Sequence, residues 1–139
     1  MATHTHFKTQ TVLVVDGASE RRKAVEQTLT CEGFEIVEVH YTECLVGIVE
    51  KHRPDLVLLQ LATQSSTVIA IVRLLRAAGC GVPVVILSPD IDDARANEAL
   101  EAGADAFLTA STSPRILVAH IQAIIRRVGF CAEELAIVV

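Results

Sequence analysis

Three short runs in this chain are almost wholly apolar: Val12-Leu-Val-Val15, Leu56-Val-Leu-Leu59 and Val82-Pro-Val-Val-Ile-Leu87. Runs with no polar alternation have no face to turn to water, so each must be covered on both sides. Short buried strands of this kind point to a parallel sheet between two helical layers. The residues between the runs agree with that solution. Ser19 is placed to cap a helix through about Thr30, with Ala24, Val25 and Leu29 on one face and Gly33 as its break. Phe34-Glu-Ile-Val-Glu-Val39 reads as a second strand, and Glu35 and Glu38 suit it to a sheet edge. Tyr41 to Lys51 reads as the second helix, stopped by Pro54.

The alternation continues. Ser65 or Ser66 opens a third helix reaching Ala78, with Ile69, Val72 and Leu75 or Arg76 marking its turns, and Gly79-Cys-Gly81 ends it. Asp92 or Asp93 opens a fourth helix that stops at Gly103, and the acids Asp90, Asp92 and Asp93 are favourable charge at a helix start. Ala106-Phe-Leu108 is the fifth strand. Ser113-Pro114 supplies a cap and a first-turn proline for a last helix to about Val128. Five strand-then-helix units with right-handed crossovers predict an α/β fold, a doubly wound five-stranded parallel sheet in the flavodoxin-like order 2-1-3-4-5 within a three-layer sandwich. Residues 1–10 read as a disordered leader and 11–128 as one domain. Residues 129–139 read as a C-terminal extension or the start of a linker to an effector domain.

Charge and cysteine content narrow the function. Twelve basic against seventeen acidic side chains give a net charge of −5, which argues against this domain itself gripping nucleic acid. No apolar run reaches the roughly 20 residues of a membrane helix. The start carries no charged-then-apolar leader, so Cys31, Cys44, Cys80 and Cys131 read as reduced thiols of a cytoplasmic protein. With the five histidines they lack zinc-ligand spacing.

In a sheet of this order the functional crevice lies at the carboxyl ends of the strands. The residues to weigh there are Asp16, Gly17, Gln60, Ser88, Thr109 and Ala110. Asp16-Gly-Ala-Ser19 has a single glycine and is no phosphate-binding loop. Ser88 has no base in reach, because the one histidine at a strand end, His40, follows the edge strand. Asp16 is a lone carboxylate, a poor Mg²⁺ site without help. The crevice reads as chemically poor, with no cofactor, no metal and no catalytic residue.

Four stretches in order resemble the receiver domain of two-component response regulators, the CheY-like fold, over about residues 11–128. They are Val12-Leu-Val-Val-Asp16, Arg53-Pro-Asp-Leu-Val-Leu-Leu59, Val82-Pro-Val-Val-Ile-Leu-Ser88 and Ala99-Leu-Glu-Ala-Gly-Ala-Asp-Ala-Phe-Leu-Thr109. The resemblance implies an acidic pair after the first strand and a phosphoaccepting Asp after the third, together holding Mg²⁺, and a Lys after the fifth. Here the pair is Asp16 and Gly17, the acceptor position is Gln60 and the Lys position is Ala110. Gln64 stands where a proline is usual, and Pro89 where a small residue follows the switch hydroxyl. A neutral amide forms no acyl phosphate, so the resemblance implies a degenerate domain, a pseudo-receiver that signals through protein contact.

Ser88 and Phe107 match the family's coupled switch residues. With nothing left to pull Ser88, a core aromatic and a backbone-bonded loop residue is the favoured reading. The family's partner face lies on the fourth helix, fifth strand and fifth helix. On it Ala99, Ile116, His120, Ala123 and Arg127 form a candidate strip for protein partners or a homodimer held by apolar contact, with Asp105 and Arg126 as candidate charges. Ile116 packing on its own fourth helix is the alternative, and a helix-surface histidine such as His120 more often has no role. An attached effector that regulates transcription is implied by the resemblance alone. Two other readings stay open: an atypical phosphoreceiver with another acceptor such as Ser88, and a small α/β ligand- or nucleotide-binding domain.

Overall fold

The computed structural model describes the backbone of residues 9–15, 20–39, 44–60, 66–89 and 93–138, and side chains within 9–15, 23–39, 44–60, 68–89 and 93–128. The leader through Lys8, the Ser19 and Ser65 caps, His40, Gln64, Asp90 and Asp92 lie outside the described residues. The elements follow in strict alternation: β1 (Thr11–Val15), α1 (Glu20–Cys31), β2 (Glu35–Val39), α2 (Leu45–His52), β3 (Leu56–Gln60), α3 (Ser66–Ala77), β4 (Val84–Ser88), α4 (Asp93–Ala102), β5 (Ala106–Thr109) and α5 (Pro114–Val138). All five strands are parallel, in the order β2-β1-β3-β4-β5 expected from the sequence.

Strand alternation divides the core into two layers. Leu13, Val15, Val57, Leu59, Val84 and Ile86 face α2, α3 and α4, where Leu45, Val49, Ile69, Val72, Leu75 and Ala99 meet them. Val12, Val14, Leu56, Leu58, Val85 and Leu87 face α1 and α5, against Val25, Leu29, Leu117, Val118 and Ile121. The central strands β3 and β4 are buried at every position, whereas β2, at the edge, exposes Glu35 and Glu38. No helix of the described residues is long and apolar enough to cross a membrane.

Helix ends show why local signals worked. The Leu29 carbonyl accepts the Phe34 N–H at 3.0 Å around Gly33, whose φ of +92° suits a residue without Cβ. α2 ends on Arg53 in the left-handed region (φ 48°, ψ 56°), because the residue before Pro54 cannot stay helical without a clash. Ser113 Oγ accepts the Ile116 N–H at 3.3 Å and Pro114 fills the first helical position, as the sequence indicated. Ser113→Ala is expected to cost about 1 kcal/mol, read as a melting temperature lower by about 3 °C.

β4 begins at Val84 rather than Val82, and two helix boundaries also differ from expectation. α2 opens at Leu45 rather than Tyr41, since Cys44 is still extended at φ −72° and ψ 100°. α5 does not stop near Val128 but continues to Val138, so the expected extension begins as helix. Gly129 disfavours a helix by only about 1 kcal/mol, and good helix formers such as Ala132, Glu133, Glu134 and Leu135 follow it.

The amino end of the sheet is tied by carboxylates and one arginine. Asp55 accepts the Thr11 N–H at 2.8 Å and Asp105 the Val84 N–H at 2.8 Å, so each satisfies the first N–H of a neighbouring strand. Arg76, at the end of α3, donates to the carbonyls of Cys80 (2.9 Å), Val82 (2.7 Å) and Gly103 (2.7 Å) and to the Asp105 carboxylate (3.2 Å). Gly103, at φ +120°, leaves room for it, because a Cβ there would stand 2.7 Å from Arg76 Cγ. Asp105, expected as an interface charge, is therefore engaged within its own chain. Its carboxylate serves β4 and Arg76 because it immediately precedes β5.

Candidate functional site

At the carboxyl end of the sheet, the register sets what can meet. Val15 pairs with Leu59, Gln60 with Leu87 and Ser88 with Thr109. Gln60 closes β3 and Ser88 closes β4 on the adjacent strand. They are the two buried polar residues among those described, each 7% exposed. The Ala110 N–H donates to the Ser88 carbonyl at 2.6 Å, which fastens the turn after β5 to the end of β4. The structure thus brings Gln60, Ser88 and Ala110 to one end of the sheet. Asp16 and Gly17 lie outside the described residues, directly after the last residue of β1.

After Thr109, which the sequence already placed at the crevice, the chain carries further hydroxyls, Ser111, Thr112 and Ser113, not counted as site residues from the sequence. Thr109 Oγ1 and Ser111 Oγ lie 2.6 Å apart, and the Ser111 N–H donates to Thr109 Oγ1 at 2.9 Å. The Thr112 N–H donates to the Thr109 carbonyl at 3.0 Å. The visible signal was the composition of Thr109-Ala-Ser-Thr-Ser113, although such a run reads equally as turn chemistry. Here it does serve as a turn that delivers Ser113 to the start of α5.

The electrostatic character follows from the residue types. Gln60, Ser88, Pro89, Thr109, Ala110, Ser111, Thr112 and Ser113 are all neutral. Among the described residues, no group of three His, Cys, Asp or Glu side chains is placed to hold a metal ion. A hard divalent cation wants several oxygen ligands, usually with carboxylates among them, and amide and hydroxyl dipoles are weak substitutes. A phosphoryl dianion beside Gln60 would meet no cationic side chain among these residues.

Ser88 and Phe107 lie on one side of the sheet, since Phe107 pairs with Ile86 and Ser88 follows Ile86 by two. The Phe107 ring is half-buried and packs on the core layer that faces α2, α3 and α4. This placement agrees with its reading as a strand aromatic of the core. Ser88, expected in a loop, is instead the last residue of β4.

The candidate interface strip is only partly on the surface. Ala99 does not belong to it, because it is fully buried in the core layer over the sheet. At that point α4 turns inward to its closing hydrogen bond from Ala104 N–H to the Ala99 carbonyl at 3.0 Å, and Leu100 is the residue that faces water. Ile116 is 54% exposed and so does not pack away against α4. His120 and Arg127 are exposed and Ala123 is half-buried. These four recur at helical spacing along α5, so they form a strip on that helix.

Comparison with known proteins is consistent with this geometry. The response regulator receiver domain family matches residues 12–122. The phosphate regulon transcriptional regulatory protein PhoB of Pseudomonas aeruginosa is 30% identical over 122 residues, covering 86% of this chain and 53% of that protein. The DNA-binding response regulator MtrA of Mycobacterium tuberculosis is 35% identical over 118 residues, 85% of this chain and 51% of that protein. The chain thus spans about half the length of the curated relatives it matches. Among solved structures, a two-component response regulator from Clostridium difficile superposes with a TM-score of 0.76 at 22% identity, over 86% of this chain and 98% of that one. The N-terminal receiver domain of RstA from Klebsiella pneumoniae gives 0.74 at 23% identity, over 84% of this chain and 99% of that one. With the same element order and a family match across most of its length, this chain belongs to the response regulator receiver domain family.

Proposed function

We propose that this receiver domain signals by protein contact without aspartyl phosphorylation, as the sensory or docking half of a regulator whose other half sets the output. The observation that carries this reading is the neutral crevice end. Gln60, 7% exposed, stands where the family's acceptor carboxylate belongs, and Ala110 stands where its lysine belongs. Gly17, in place of the second acid, removes a further ligand for the metal. Losing the nucleophile leaves no covalent intermediate, and the missing charges would withdraw several kcal/mol of transition-state stabilisation.

The output is proposed from likeness. PhoB and MtrA are named as a transcriptional regulator and a DNA-binding response regulator, and this chain covers only about half of each. Transcriptional control through an attached effector domain therefore suits the whole protein, while the domain itself carries a net charge of −5. The strip of Ile116, His120, Ala123 and Arg127 on α5 is the proposed contact face for a protein partner. A homodimer through α4, β5 and α5 has less support than the sequence offered, since Ala99 is in the core and Asp105 is engaged by Arg76.

Incubation with Mg²⁺ and acetyl phosphate, followed by intact-mass measurement, tests the central claim. The native chain is expected to show no phosphoryl adduct. A stoichiometric adduct would mean that another residue, with Ser88 first to be examined, carries the chemistry, and the reading would be wrong.

A further inference from the structure

We draw no further inference here: the strongest candidate, the surface of α5 around Val128, where the helix runs on past the bond from Gln122 to Glu32 at the end of α1, carries nothing because nothing in the structure shows what covers it.

Discussion

Arg76→Ala is expected to destabilise the domain by about 3 kcal/mol and to lower its melting temperature by about 10 °C. The guanidinium joins the end of α3 to the adjoining Cys80–Val82 approach to β4 and to the Gly103 turn, 27 positions away, that leads into β5. Removing it leaves three partly buried carbonyls without their charged donor, and an acceptor that loses its partner loses more than an average hydrogen bond contributes. The ion pair with Asp105 adds little, since that carboxylate is 39% exposed and its charge is screened. Lysine should recover less than half of the loss, because a single ammonium cannot span the separate acceptors that the planar fork reaches. Denaturant unfolding of the native chain, Arg76→Ala and Arg76→Lys measures both effects. A loss below 1 kcal/mol for alanine would show that the carbonyls find water at no penalty and that the arginine does not hold these segments.

The second large effect is a gain. Gly17→Asp, Gln60→Asp and Ala110→Lys together are expected to turn a chain that acetyl phosphate leaves unmodified into one that acquires an Mg²⁺-dependent adduct. Each change supplies one missing part: a metal ligand beside Asp16, the nucleophile, and the cation that offsets the phosphoryl charge. Gln60→Asp alone should remain unmodified, or nearly so, because a nucleophile without metal or cation lacks most of the electrostatic stabilisation. The triple variant should also be less stable than the native chain without metal, by about 2 kcal/mol, since position 60 is 7% exposed and a carboxylate there is poorly solvated. Mg²⁺ at about ten times its dissociation constant should return about 1.4 kcal/mol through preferential binding to the folded state. Thermal melts with and without Mg²⁺ read this directly, and a triple variant indifferent to the metal would mean that these three positions do not form the expected site.

The two effects lie at opposite ends of one sheet, and the sequence was legible to different depths at each. The apolar runs at 12–15, 56–59 and 82–87 determined buried parallel strands by themselves, because residues with no polar face have no other use for their surface. Gly33, Pro54 and Ser113-Pro114 likewise marked helix ends through backbone restrictions and a capping hydroxyl that act within a few residues. The neutrality of Gln60 and Ala110 could be read directly, since an amide or a methyl group has the same chemistry in any fold. Other features depended on what approached from far along the chain. Whether Ala99 faces water or the sheet is decided by how α4 seats on its neighbours, and alanine is at home in either place. Asp105 is bound to Arg76 and the Val84 N–H across 29 and 21 positions, and no local pattern announces either partner. Leu74 and Ile116 sit in helices like many core residues, and only the assembled layers left them outside. Local chemistry and periodicity were therefore sequence properties, whereas exposure and long-range partnership were settled by packing, where each side chain's surroundings are set by segments that its own neighbours in sequence do not encode.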